Sequence, residues 1–276
     1  MIENWILKIK LKNLLLGGFI GLGLLIGVIT TLPDNRLHLV FCNVGQGDAI
    51  FIRTPKGDDI LIDGGPNDQV LDCLGRHMPF FDRDLEMVIL THPHADHLTG
   101  LVSVLDRYQV KQLVLENISM DNQIFRDFQK TVIDKQIPIY NPKTGDKLRI
   151  DSLEFDIFWP EKVIGNAEIW TQKYLTESNY KAVLGESTLS LNPNDLSLVI
   201  LLKENNFTAL LTGDSGKDVL SKIFNLNTDL SNYDINTLGL DVLKVPHHGS
   251  KTSLTTDLLD QLRPKTAVIS VGKNIF

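Results

Sequence analysis

Met87-Val88-Ile89-Leu90-Thr91-His92-Pro93-His94-Ala95-Asp96-His97-Leu98-Thr99-Gly100-Leu101-Val102-Ser103-Val104-Leu105 is the stretch that decides the fold. An apolar run rich in Val, Ile and Leu stops at three histidines and an aspartate. Leu98, Leu101, Val102 and Leu105 then recur at helical spacing. The pattern predicts a buried strand, a tight loop and a helix, with the four polar residues at the strand's C-terminal edge. Neutral imidazoles and a carboxylate suit a divalent cation such as zinc or manganese. His92 and His94 alternate and can point to one side, while Asp96 and His97 sit at the helix start and can face a second ion. The spacing therefore suggests a two-metal centre. A lone loop histidine is ordinarily a bystander, but this density of ligand types after a strand is a specific signal.

His-x-His-x-Asp-His after a hydrophobic strand resembles the signature of the metallo-β-lactamase-fold hydrolases. Two further stretches narrow the resemblance: Asn43-Val44-Gly45-Gln46-Gly47-Asp48-Ala49 and Leu243-Lys244-Val245-Pro246-His247-His248-Gly249-Ser250. Together they resemble the metallo-β-lactamase domain of ComEC-type DNA-uptake (competence) proteins, from Leu37 to Phe276. The resemblance implies an α/β (α+β) fold, a four-layer αββα sandwich with metals at one edge. It implies two divalent ions, zinc or manganese, held by His92, His94, Asp96, His97, Asp214 and His247. His248 is then expected near the substrate, although the two adjacent histidines can trade roles. Asp63, at the end of Asp59-Ile60-Leu61-Ile62-Asp63, reads alone as a turn cap. The resemblance makes it a residue that orients metal-binding histidines, with Asp48 in the glycine-punctuated loop beside the centre.

Asp96, His248 and Lys244 are the candidate catalytic residues, and Ser250 and Ser253 the candidate phosphate contacts, against an alternative of helix capping and surface charge. Thr212-Gly213-Asp214 would be an ordinary turn by itself; the resemblance makes Asp214 a bridging carboxylate. Three departures stand out. Asn43 replaces the family's usual Asp, no histidine lies between His97 and His247, and the chain stops at Phe276 before the family's Gly-His-Pro stretch. The domain over 36–276 is therefore expected to be truncated at its C-terminus.

The formal net charge of −7 argues against a broad basic surface for non-specific nucleic-acid binding, so metals and a few local cations would have to hold any phosphodiester. Cys42 and Cys73 are the only cysteines, too few for a disulfide scaffold, and their pairing is left open. Cys42 lies in an apolar run and reads as a small buried hydrophobe.

Residues 14–32 carry no charge and follow Lys8, Lys10 and Lys12. They predict one transmembrane helix over 14–32 after a cytoplasmic basic flank over 1–13, with the large domain outside the cell membrane. Membrane lipid, and a channel-forming membrane protein, are the partners this implies. Gly17 and Gly21 have the spacing of a helix-packing pair, which is equally ordinary composition for such a helix.

Strands are expected at 37–41, 49–52, 59–62, 112–115, 196–202, 207–211, 240–245 and 266–270. Residues 137–140, 147–150 and 153–159 read as β-meander pieces. Helices are expected at 121–135, with Ile124, Phe128 and Val132 as a core stripe, and at 255–262. The polar stretch 161–194 is either a flap with Lys173, Tyr174, Tyr180 and Lys181 on substrate or a surface insertion. The functional expectation is a metal-dependent phosphodiesterase or nuclease acting on DNA. The alternatives are a metal-poor module that binds nucleic acid or an envelope ligand, and a hydrolase of small esters or phosphodiesters.

Overall fold

The computed structural model describes residues 2–29, 32–116, 120–160, 192–225 and 239–272. The flap candidates Lys173, Tyr174, Tyr180 and Lys181 lie outside the described residues. Helix α1 spans Ile2–Ile29. Among the described residues no helix is long and apolar enough to cross a membrane. The expected transmembrane helix over 14–32 is thus not supported. The single-pass placement, with a cytoplasmic N-terminus and an outside domain, falls with it.

From residue 38 the chain builds two six-stranded sheets. The first contains β1 (His38–Phe41), β2 (Ile50–Arg53) and β3 (Asp59–Ile62), each antiparallel to the next. After a short β4 (Asp84–Leu85), β5 (Met87–Leu90) lies parallel to β3. Beyond β6 (Gln109–Val110), which pairs with β4, come β7 (Leu113–Leu115) and β8 (Ile139–Tyr140), both parallel to β5. The second sheet repeats the plan. β9 (Lys147–Ile150), β10 (Leu153–Trp159), β11 (Val199–Glu204) and β12 (Phe207–Leu211) are antiparallel in turn. β13 (Val242–Lys244) and β14 (Thr266–Val268) then add in parallel. Of the three expected meander pieces, residues 139–140 instead close the first sheet; only β9 and β10 form the hairpin.

Period-two alternation gives each sheet two apolar faces. Ile52, Ile60, Ile62 and Ile89 of the first sheet meet Phe155, Ile200, Leu202 and Leu211 of the second. Each such buried side chain contributes roughly 1.5–3 kcal/mol. Phe51, Leu61, Val88 and Leu90 face the other way, onto α2 (Gln69–His77), α3 (Ala95–Arg107) and α4 (Gln123–Asp134). Val199, Leu201, Leu210 and Leu243 do the same against α5 (Lys217–Asn225) and α6 (Thr256–Leu262). The order helix, sheet, sheet, helix follows. In α4, Asn122 Oδ1 accepts the Phe125 N–H at 2.9 Å, capping the helix. Its Phe125, Phe128 and Val132 are buried in the core. Helix α3 presses on the loop after β3 so closely that a side chain at Gly100 would collide with the Gly64 carbonyl. Cys42 is half of a disulfide with Cys73, which ties the end of β1 to α2.

Asp59, the first residue of β3, is fully buried, and neither carboxylate oxygen accepts a hydrogen bond. Arg53 Nη1 stands 3.6 Å away. Burial outweighs that charge and pushes the carboxyl up to about 8. The folded-state pKa is raised above the unfolded value. The associated stability is therefore fully present below about pH 4 and is lost as pH rises through about 8, at up to about 1.4 kcal/mol per pH unit. Denaturant unfolding of the wild type and Asp59→Asn at pH 5 and pH 8 is expected to show a smaller loss for the variant; equal losses would dismiss the assignment.

Candidate metal centre

Five segments deliver polar side chains to one edge, at the C-terminal ends of parallel strands. β5 runs out into Thr91 and His92-Pro93-His94, with His94 in extended backbone, and Asp96 and His97 occupy the first turn of α3. An acidic residue there suits the positive end of the helix. β3 ends in Asp63, held in left-handed backbone at φ 59°. Its Oδ2 accepts from His97 Nδ1 at 2.8 Å and from Thr91 Oγ1 at 2.7 Å, and its Oδ1 from the Thr91 N–H at 2.8 Å. Thr91 Oγ1, its proton spent on Asp63, accepts from His92 Nδ1 at 3.2 Å. Asp63 therefore orients both histidines and turns each Nε2 toward Asp214.

β12 ends in Thr212-Gly213-Asp214. Gly213 has φ 50°, and a side chain there would strike Ser197 Oγ, which accepts the Asp214 N–H at 3.1 Å. Asp214 Oδ1 lies 3.4 Å from His97 Nε2, and its Oδ2 lies 3.5 Å from His248 Nε2 and 3.9 Å from His92 Nε2. His248 sits in a turn, Pro246–Gly249, where it and His247 both adopt left-handed backbone at φ 53° and 48°. Its Nδ1 donates to the Ser270 carbonyl at 2.9 Å, turning Nε2 toward Asp96 Oδ2 at 3.2 Å. His92 Nε2 and His94 Nδ1 stand 3.1 Å apart.

The donors fit a cation. His97 Nε2, Asp214 Oδ1 and His248 Nε2 are buried and make no hydrogen bond, yet they arrive together from separate elements. Asp96, His97, Asp214 and His248 each offer one atom, all within 4.8 Å of one another. Without an ion, protons carry the charge. Burial opposes it, but the Asp214 and Asp96 carboxylates facing its Nε2 push His248 up to about 9. Burial likewise opposes His97, and the Asp63 charge raises it well above the ordinary histidine value. Burial would raise Asp214, but contacts from His248 and His97 hold its carboxyl far below the usual range. Asp96 behaves alike and falls to about 2. Burial keeps His92 and His94 low, hence neutral and ready to act as ligands.

Residues 42–163 match the model of the metallo-beta-lactamase superfamily. The chain is similar to ComE operon protein 3 of Bacillus subtilis. The two are 28% identical over 249 residues, covering 84% of this chain and 28% of that protein. Recombination protein 2 of Haemophilus influenzae is 29% identical over 238 residues, covering 84% of this chain and 24% of that protein. The chain spans about a quarter of the length of these curated relatives. Igni18, a metallo hydrolase of Ignicoccus hospitalis, aligns with 14% identity and a TM-score of 0.47, over 85% of this chain and 82% of that one.

Among the described residues, Asp96, His97, Asp214 and His248 converge, and His92 and His94 adjoin them. His247 does not join the cluster; its ring centre is 6.3 Å from that of His248. Lys244 is fully buried. It pairs with Asp48, donates to the Gly213 carbonyl at 2.9 Å and lies 3.6 Å from Asp214 Oδ1. Ser253 is buried too, its hydroxyl donated to the Ser250 carbonyl at 2.6 Å, while Ser250 is only half-buried. Asn43 is exposed. Sequence reading missed Thr91, Ser197 and the Ser270 carbonyl as supports; only Thr91, next to the first histidine, carried a signal.

Proposed function

We propose that this chain is a metal-dependent hydrolase of phosphodiesters, with DNA the substrate class and two divalent ions, zinc or manganese, at the centre. The carrying observation is the meeting of unsatisfied His97 Nε2, Asp214 Oδ1 and His248 Nε2. His92, His94 and Asp214 would hold one ion, and Asp96, His97, His248 and Asp214 the other. Bound divalent cations supply Lewis-acid polarisation of a phosphoryl oxygen and a water nucleophile at neutral pH. Asp63 and Thr91 keep the histidine lone pairs aimed, and Asp48 and Lys244 form the charged floor beneath Asp214. His247 and Ser250, outside the cluster and only half-buried, are the groups able to meet substrate. Similarity to a protein named for recombination supports nucleic acid as the substrate.

The net charge of −7 favours a second reading, a small diester in place of a polymer. Both readings are tested with single-stranded DNA, double-stranded DNA and a small aryl phosphodiester, each with manganese, zinc or magnesium. Cleavage is expected to vanish on chelation and return with added ion. Cleavage that persists in chelator removes the proposal, and preference for the small diester selects the second reading.

A further inference from the structure

Cys42 and Cys73 are joined, and the chain holds no other cysteine. The bridge sits at the base of a loop that reaches the centre. Cys42 and Ala49 close that loop, the Cys42 N–H donating to the Ala49 carbonyl at 2.9 Å. The far side of the loop lies on the first turn of α3. There the Asp48 N–H donates to the Asp96 carbonyl at 3.2 Å, and a side chain at Gly47 would strike the same carbonyl. Asp48 is buried; it pairs with Lys244 and lies 3.8 Å from His97 Nδ1 and 3.9 Å from His248 Nδ1. Lys244 in turn donates to the Gly213 carbonyl at 2.9 Å and stands 3.6 Å from Asp214 Oδ1. Cys73 belongs to α2, which shares one apolar core with α3. The disulfide therefore fastens the loop to the helical layer that carries Asp96 and His97. Two glycines among residues 43–48 leave the loop backbone many conformations to lose. Burial costs the Asp48 carboxylate its hydration, so a loosened loop would turn it outward, away from Lys244.

We propose that the Cys42–Cys73 disulfide is a redox-sensitive clamp on the centre, holding Asp48 against Lys244 and Lys244 beside Asp214. Cys42 and Cys73 are positioning residues; neither is among the proposed ligands. Opening the clamp takes two electrons from a dithiol. The S–S bond breaks, thiols form at Cys42 and Cys73, and the dithiol closes to its own disulfide. Both sulfurs lie among apolar side chains, where two thiols pack as small hydrophobes, so the fold outlasts the bond. The effect on ions rests on the metal-dependent reading above; the effect on the loop does not.

The test compares the oxidised full chain with the same chain reduced by dithiothreitol and desalted without air, and with the double variant Cys42→Ala, Cys73→Ala. Hydrogen exchange is followed on the ion-free proteins by mass spectrometry, and manganese chloride affinity by the paramagnetic resonance of the free ion. Exchange in residues 43–49 is expected to quicken by about tenfold or more in the reduced and double-variant chains, while β11 and β12 keep their oxidised rates. Manganese is expected to bind about tenfold or more weakly, as when a group that aims a ligand is lost. Unchanged exchange in residues 43–49, or a manganese affinity that holds while the loop loosens, overturns the clamp and leaves the hydrolase reading standing. Exchange that quickens equally in β11 and β12, or a reduced chain that unfolds, makes the bridge a general support of the fold and overturns the clamp too. An oxidised chain that takes up no manganese overturns the hydrolase reading and the effect on ions, and exchange in residues 43–49 then decides the clamp on Asp48.

Discussion

Asp214→Ala is expected to lower phosphodiester hydrolysis by at least about 10³-fold, equivalent to about 4 kcal/mol of transition-state stabilisation. Among the described residues, Asp214 is the one carboxylate that faces His92, His97, His248 and Lys244 together. Its loss separates the two halves of the proposed centre, so ion content should fall along with rate. Asp63→Asn is the informative companion. Asp63 would touch no ion; it holds His97 and, through Thr91, His92. Its substitution is expected to cost 10–100-fold, the usual range for a residue that aims a ligand. Steady-state rates with saturating manganese, beside ion counts, separate the two effects. An Asp214→Ala protein within tenfold of wild type would remove Asp214 from the centre.

Lys244→Met is expected to destabilise the fold by about 3–5 kcal/mol, because it leaves Asp48 as a buried carboxylate without its cation. Both partners are buried, and Asp48 is also 3.8 Å from His97 Nδ1. The double variant Asp48→Asn with Lys244→Met removes both charges and should recover most of that loss. Urea unfolding at pH 7 measures it. A Lys244→Met protein as stable as wild type would mean that the ammonium is not the partner of Asp48 in solution.

The strand–loop–helix of residues 87–105 was legible because two periodicities meet there: unbroken apolar residues in the strand, then Leu98, Leu101 and Leu105 on one helix face. The same logic located β9, β10, β12 and α6. Helix α2 carried a short spacing signal in Val70, Cys73 and Leu74, but it follows Gly64-Gly65-Pro66, and nine residues give little period to read. Helix α5 was missed for the same reason. The placement of β8 in the first sheet is a long-range choice that no local pattern encodes. At the centre, the identity of the donors was visible, but their directions were not. Which of two adjacent histidines turns inward depends on the left-handed backbone at both and on the Ser270 carbonyl. That a lysine is sealed under the site, instead of lying on the surface, depends on Asp48 arriving from a loop almost 200 residues earlier in the chain.

His92, His94, Asp96 and His97 hang from the first sheet, and Asp214 and His248 from the second. An ion shared among them would act as a rivet across the seam of the sandwich. Resistance to unfolding would then become a gauge of ion supply: each tenfold rise in free ion above its dissociation constant would add about 1.4 kcal/mol. A protein assembled in a metal-starved setting would be not merely idle but less sturdy.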